Sequence, residues 1–380
     1  MIEILDKINC CGCYACANIC PKNCIVMKKE NEGFYYPFVD KEKCIGCGLC
    51  ESACPITHKQ NISINEDTMG YSYINRNDEI RKESTSGGAF YEIAKSVLDK
   101  GGIVYGAAFA SDFSVCHIRV EHLHDLKKLL ESKYVQSRLD GIYKNVKSDL
   151  LKNKRVLFSG TPCHVEALKN FLNREYENLL CVDIICHGVP SEDVWLGYLE
   201  ERKRKYRSNI QSVSFRNKKN GWKNYNMSIR FDNKKVYERV FYEDPYARSF
   251  VKDITLRPSC YDCKFKGIQR ISDITLADYW GVWDLNRELY DDMGTSFIMA
   301  HTPKGKEVIQ SVLEEVNECT IESAVRYNPS AIKTVGRPQN RDSFFEQIHT
   351  KNIVKLLETY SGITFIVKIK RIIKKMIGRK

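Results

Sequence analysis

No stretch of the chain approaches the roughly 18 consecutive apolar residues that a membrane-spanning helix needs, so a bilayer span is not expected. A hydrophobic signal core is missing too: Glu3 and Asp6 interrupt the N-terminus, and the expected location is the cytoplasm. Collagenous and low-complexity repeats are absent, and a composition 43% hydrophobic and 11% aromatic is too apolar for a disordered chain. The 380 residues leave room for two or three domains and at least one large core. Charge of one sign is scarcer than the formal net charge of +11 suggests. Residues 1–60 carry seven basic and seven acidic side chains, whereas residues 361–380 carry seven basic and none acidic. Most of the basicity is therefore a tail, and nucleic acid is not an expected partner.

Cysteine is what the chain has in excess, with 17 residues, ten of them between Cys10 and Cys54. In a reducing compartment thiols serve as metal ligands or nucleophiles far more often than as disulfides. Cys10, Cys13, Cys16 and Cys20-Pro21 are spaced C-x2-C-x2-C-x3-C-P, and the spacing returns at Cys44, Cys47, Cys50 and Cys54-Pro55. This is the run of bacterial two-cluster ferredoxins, in which the fourth cysteine ligates the other cluster. Two-residue gaps let three thiolates curl around one face of a cubane, with Gly12, Gly46 and Gly48 allowing close backbone approach. One [4Fe-4S] cluster is assigned to Cys10, Cys13, Cys16 and Cys54, and the second to Cys44, Cys47, Cys50 and Cys20. A zinc module also uses C-x2-C pairs, but it has no need of two four-cysteine runs each closed by proline. Cys11 and Cys24 fall outside the pattern and read as small packing residues. Residues 33–39 read as an aromatic hairpin that covers the clusters or simply joins a core.

From about residue 70 the pattern alternates between strand and helix. Ser84-Thr85-Ser86-Gly87-Gly88 opens an apolar-periodic helix through Leu98, and a strand is expected over 103–109. Further strands are expected over 154–159 and 179–185, with a helix over 165–172 and another capped by Ser191. The expected architecture is an α+β ferredoxin-like module over 1–60, then an α/β domain with a parallel or mixed sheet over 70–355, then a basic amphipathic segment over 361–380. Ligands of such sheets bind beyond the strand carboxyl ends, where helix N-termini suit phosphate; ordinary capping explains the same Ser, Thr and Gly residues. Cys163, Cys186, Cys260 and Cys263 offer four more thiolates, enough for a third [4Fe-4S] cluster, and a zinc site or a C-x2-C redox pair fits the same spacing. Cys116, Cys181 and Cys319 read as buried, inert thiols.

Several stretches together resemble the beta subunit family of coenzyme F420 hydrogenase/dehydrogenase. They are Ser86-Gly87-Gly88-Ala89-Phe90, Lys133-Tyr134-Val135-Gln136-Ser137, Phe158-Ser159-Gly160-Thr161-Pro162-Cys163 and Asp183-Ile184-Ile185-Cys186-His187-Gly188. The series continues with Phe215-Arg216, Gly221-Trp222, Arg257-Pro258-Ser259-Cys260, Cys263-Lys264-Phe265 and Asp278 to Gly281. The resemblance implies an oxidoreductase that holds FAD and an additional [4Fe-4S] cluster on Cys163, Cys186, Cys260 and Cys263. It places Ser86, Gly87, Gly88, Lys133, Tyr134, Gln136, Ser137, Gly160, Thr161 and Pro162 on the flavin side. His164 stands where relatives commonly have glutamine. His187, beside a ligand, is a candidate proton donor or a structural histidine.

Implied partners are a ferredoxin or partner redox subunit, and a deazaflavin coenzyme or another small redox substrate. Two further readings stay open: a ferredoxin-dependent reductase of an envelope or glycan precursor, and a non-catalytic electron-transfer subunit. Phe365, Ile369, Ile372, Ile373 and Met376 recur at helical spacing opposite Lys368, Arg371 and Lys375. That pattern suits peripheral contact with an anionic membrane at the inner face, or a docked helix with a solvated basic side. Arg202 to Lys205 read as a solvated cationic helix end or as a dock for an acidic partner.

Overall fold

The computed structural model describes residues 1–59 and 68–363. The expected amphipathic segment lies outside the described residues from 364 onward. The N-terminal module consists of helices Ala15–Ile19 and Leu49–Ser52 and an antiparallel hairpin, β1 (Ile25–Lys29) and β2 (Tyr35–Val39). Left-handed backbone at Gly12, Gly46 and Gly48 (φ 69°, 67° and 73°) gives the cysteine loops their tight curl.

The large domain is built on a nine-stranded mixed sheet. Its strands are β3 (Met69–Tyr73), β4 (Ile103–Phe109), β5 (Val115–Val120), β6 (Ser137–Arg138), β7 (Val156–Ser159) and β8 (Leu179–Ile184). After an excursion through a three-stranded antiparallel sheet of β9 (Ile210–Asn217), β10 (Asn226–Phe231) and β11 (Val236–Val240), it is completed by β12 (Ile274–Asp278), β13 (Ser296–Ala300) and β14 (Asn317–Cys319). The order is β14-β3-β13-β12-β8-β7-β4-β5-β6. The centre, β12-β8-β7-β4, is parallel, and β13, β3 and β14 add antiparallel on one side. Central runs such as Val156-Leu157-Phe158 and Cys181-Val182 are wholly buried, as expected for strands covered on both faces.

One face is covered by helices Ala89–Leu98 and Pro303–Val312, which bring Ile93, Leu98 and Ile309 onto Leu157, Val182 and Ile298. The other is covered by Ile142–Leu151 and Pro162–Leu172. Cys13, Tyr14, Ala15 and Ala53 of the N-terminal module join this second core, so the module shares its burial with the sheet. Asn18 Nδ2 donates to Leu139 O at 3.0 Å, and Arg341 clamps Glu32 through both carboxylate oxygens at 3.0 and 2.6 Å. The helix expected over 165–172 starts at Pro162, whose missing N–H costs nothing in the first turn. Ser191 caps Glu192–Tyr206, its Oγ accepting from Val194 N.

One local expectation is met in its core-packing form and another changes. The aromatic hairpin packs against the large domain: Phe34 and Tyr36 are buried in the core of Trp195 and Phe215, and Phe34 lies 6.1 Å from Phe345. Arg202 is not part of a solvated cationic end. Its guanidinium is buried 4.6 Å from the Tyr198 ring and 4.2 Å from that of Tyr237, while Arg204 and Lys205 remain exposed. Among the described residues no helix is long and apolar enough to cross a membrane.

Candidate functional site

The carboxyl ends of the parallel strands open on a cavity of about 620 Å³. Three loops build its wall: 84–88, leading into helix Ala89–Leu98; 129–137, leading into β6; and Gly160-Thr161, between β7 and helix Pro162–Leu172. Ser86, Gly88, Lys133, Tyr134, Ser137, Gly160, Thr161 and His187 all line it. Three residues expected there do not. Gly87 N donates to Ser296 Oγ at 3.0 Å, and the glycine lies so close to Tyr73 O that a Cβ would approach to 2.3 Å. Pro162 opens its helix behind the rim, and Gln136 turns away to donate to Gly12 O at 3.3 Å in the N-terminal module.

Around the wall lie charges of which Arg216, Asp278 and the supporting Lys218 were not singled out by the sequence as site residues. Arg216 donates to both oxygens of Asp278 at 2.7 and 3.1 Å and stacks 4.0 Å over the Tyr225 ring. Lys218 Nζ donates to the carbonyls of Arg81, Ser86 and Met293 at 2.7, 2.7 and 2.8 Å, tying down the 84–88 loop. Burial lowers Lys218 to about 7. Lys133 Nζ donates to the carbonyls of Leu130 and Glu131, and burial lowers it to about 8. His117 and His164 meet edge to face at 5.4 Å, and burial pulls His117 down to about 4 and His164 well below the usual range. Three residues lining the cavity keep a buried polar atom without a partner, Ser84 Oγ, His164 Nδ1 and Arg216 Nε. A roomy cavity with unsatisfied polar atoms and a lysine bonded only to carbonyls fits a polar, anionic ligand of dinucleotide size. His187 is held at both ring nitrogens, Nε2 by Asp253 Oδ1 at 2.6 Å and Nδ1 by Ser330 Oγ at 3.1 Å.

The thiols fall into three sets. Cys20, Cys44, Cys47 and Cys50 line one small void of about 20 Å³, with Cys47 exposed. Cys10, Cys13, Cys16 and Cys54 are buried together, and the Cys16 thiol is raised by burial and then by its neighbours Cys13, Cys10 and Cys54. Cys163, Cys186, Cys260 and Cys263 form the third set on the cavity side. Burial, followed by weaker effects that include the neighbouring thiols Cys263 and Cys163, pushes Cys260 up to about 12, and Cys186 is raised in the same way.

Thiols buried in this way stay protonated unless a cation compensates, and an all-sulfur donor set suits iron-sulfur clusters or zinc. A tetrahedral zinc with bonds of about 2.3 Å gathers its thiolates within about 4 Å of one another. Among the described residues no three His, Cys, Asp or Glu side chains gather around a single-ion position. Cys11 and Cys24 are buried in hydrophobic cores, as expected for packing residues, and also lie beside thiols of these sets. Cys11 is hydrogen-bonded to Cys13 and Cys163, and Cys24 Sγ is 3.3 Å from Cys20 Sγ. Cys181 is fully buried, as expected for an inert thiol, while Cys116 and Cys319 are half-buried.

No curated protein matches the chain. A solved structure of the F420-reducing [NiFe] hydrogenase complex from Methanosarcina barkeri is similar at 12% identity and a TM-score of 0.45, covering 79% of this chain and 94% of that one. Residues 9–57 match the 4Fe-4S dicluster domain, and residues 153–324 match the family described as the C terminus of the coenzyme F420 hydrogenase/dehydrogenase beta subunit. A region that matches a 4Fe-4S dicluster domain thus precedes one that is similar to the C terminus of the coenzyme F420 hydrogenase/dehydrogenase beta subunit, to which the chain is related.

Proposed function

We propose that the protein is an oxidoreductase that exchanges electrons between a small two-electron carrier, such as a deazaflavin coenzyme, and a redox partner protein, using FAD in the 620 Å³ cavity and three [4Fe-4S] clusters. One observation carries this reading. The cavity that gathers the 84–88, 129–137 and 160–161 loops is walled on another side by Cys186, a member of the third thiol set. A bound flavin exchanges a hydride on one side and single electrons on the other, which is the conversion needed between an organic carrier and iron-sulfur clusters.

The chain's own residues supply binding and positioning. Lys133 and the amides of the 84–88 loop offer positive charge to a pyrophosphate, and Arg216 Nε and His164 Nδ1 offer the unpaired polar atoms. His187, oriented by Asp253 and Ser330, faces the cavity as the candidate proton donor. The Cys20, Cys44, Cys47 and Cys50 set, with Cys47 exposed, is the end at which a partner protein exchanges electrons.

The test has two steps. Protein purified anaerobically is denatured and the supernatant assayed for FAD; no flavin even after reconstitution overturns the enzymatic reading in favour of a flavin-free electron-transfer subunit. Holoprotein is then mixed with reduced deazaflavin or with reduced ferredoxin while flavin absorbance is followed. Bleaching by deazaflavin is the expected result, and bleaching by ferredoxin alone replaces the proposed carrier with an organic substrate reduced at ferredoxin's expense.

A further inference from the structure

We propose that Arg257 is a positioning residue through which the large domain raises the reduction potential of the N-terminal cluster held by Cys10, Cys13, Cys16 and Cys54. The proposal rests on those four thiols being one cluster's ligands. Arg257 is fully buried and precedes Cys260 by three residues. Its guanidinium is bonded at every nitrogen, and two of the three reach across the domain boundary. Nε donates to Cys10 O at 2.7 Å, Nη2 to Tyr35 O at 2.9 Å and to Cys10 Sγ at 3.4 Å, and Nη1 to Gln136 Oε1 at 2.9 Å. Gln136 in turn donates to Gly12 O, closing a ring around the first cysteine loop. The loop is shaped to this group: a Cβ on Gly12 would come 2.2 Å from Gln136 Nε2 and 2.7 Å from Arg257 Nη1.

Four other buried arginines have carboxylates: Arg216 has Asp278, Arg341 has Glu32, Arg81 has Asp291 and Arg270 has Asp183, while Arg202 lies against the Tyr198 and Tyr237 rings. Among the described residues Arg257 forms no ion pair with a carboxylate. The acidic groups acting on it are Cys10, Tyr36, Cys11 and Cys260, three of them thiols. An uncompensated guanidinium in a protein interior is strongly unfavourable, whereas a negatively charged cluster at Cys10 compensates it. Reduction adds one electron to the cluster and moves no bond, so a cation and an N–H···S bond favour the reduced form and raise its potential. No guanidinium bonds a thiol of the Cys20, Cys44, Cys47 and Cys50 set among the described residues; Ile2 N donates to Cys50 Sγ at 3.3 Å. The two N-terminal clusters are thereby made unequal, with the inner one the better acceptor.

The test is an anaerobic redox titration of the full chain, followed by electron paramagnetic resonance, for the unaltered protein, Arg257→Gln and Arg257→Lys. A Cys47→Ser chain, which loses the outer cluster, identifies the inner signal. In Arg257→Gln the inner cluster's reduced-to-oxidised ratio at fixed potential is expected to fall at least tenfold, a shift of about 59 mV for one electron, with the outer signal unmoved. Arg257→Lys keeps the charge and loses the fork, so the shift is expected in the same direction and smaller; it decides the matter where Arg257→Gln fails to retain iron. Unchanged inner potential in an iron-replete variant overturns the proposal alone. Absence of two N-terminal cluster signals from the unaltered chain overturns the ligand assignment and the proposal with it.

Discussion

Asp278→Asn is the sharpest probe of the cavity wall. The Arg216 side chain is 3% exposed and that of Asp278 is 12% exposed, so both charges lie largely out of water. Their two hydrogen bonds are joined by a third, from Trp222 Nε1 to Asp278 Oδ1 at 2.8 Å. Asparagine keeps the shape and removes the charge, leaving the guanidinium with the Tyr225 and Trp280 rings and the Tyr134 hydroxyl but no anion as counterpart. Breaking one side of a buried pair costs about 3–5 kcal/mol. The lower end applies here, because the amide oxygen still accepts one bond. At about 2–4 °C per kcal/mol for a large domain, the Tm is expected to fall by roughly 6–12 °C.

Arg216→Met combined with Asp278→Asn removes both charges, and the double variant is expected to recover at least about 2 kcal/mol relative to the sum of the single changes. The assay is urea unfolding of cluster-loaded, flavin-free protein under anaerobic conditions, with Cm and slope compared across the cycle. A single variant within about 1 kcal/mol of the unaltered protein, or a strictly additive double variant, refutes the view that this pair is electrostatically isolated from solvent.

Crossed ligation predicts that Cys20→Ser disturbs the cluster of Cys44, Cys47 and Cys50 and leaves that of Cys10, Cys13 and Cys16 intact; Mössbauer or paramagnetic resonance spectra of the two sets distinguish them, and loss of the opposite signal refutes the assignment. His187→Asn is expected to lower turnover by about 10²-fold or more with flavin and iron content unchanged, and full activity at all pH values assigns the histidine to structure. Lys133 sits at about 8 in the folded chain, below the ordinary lysine value of about 10.4, so the unfolded chain binds more protons between those values. Stability of the flavin-free protein therefore rises with pH across that window, by up to about 1.4 kcal/mol per unit from this group. Lys133→Met flattens that rise in denaturation midpoints taken from pH 8 to 10, and an unchanged slope shows that the group titrates normally.

Much of the architecture was legible because it is written in short-range pattern. The buried runs at 156–158 and 179–183 and the Ser191 cap are decided by residues within a turn or two of one another. Two four-cysteine runs closed by proline state their chemistry in the same local way. Nothing local announces that β3 lies antiparallel between β13 and β14, because those pairings join residues more than 200 positions apart. Gln136 carries the same ambiguity: its neighbours Lys133, Tyr134 and Ser137 line the cavity, while a reversal of side-chain direction sends it to the other domain. Arg202 looked like one of four surface cations until Tyr198 and Tyr237 closed over it.

The spacing of its cysteines alone determined that this protein carries a two-cluster module, since ligand geometry within a loop depends only on the loop. Tertiary structure alone decided which thiols, cations and polar atoms face one another across the domain boundary. Cys11 between Cys13 and Cys163, and Arg257 on Cys10, are contacts between segments that only the packing of one core against another brings within bonding distance.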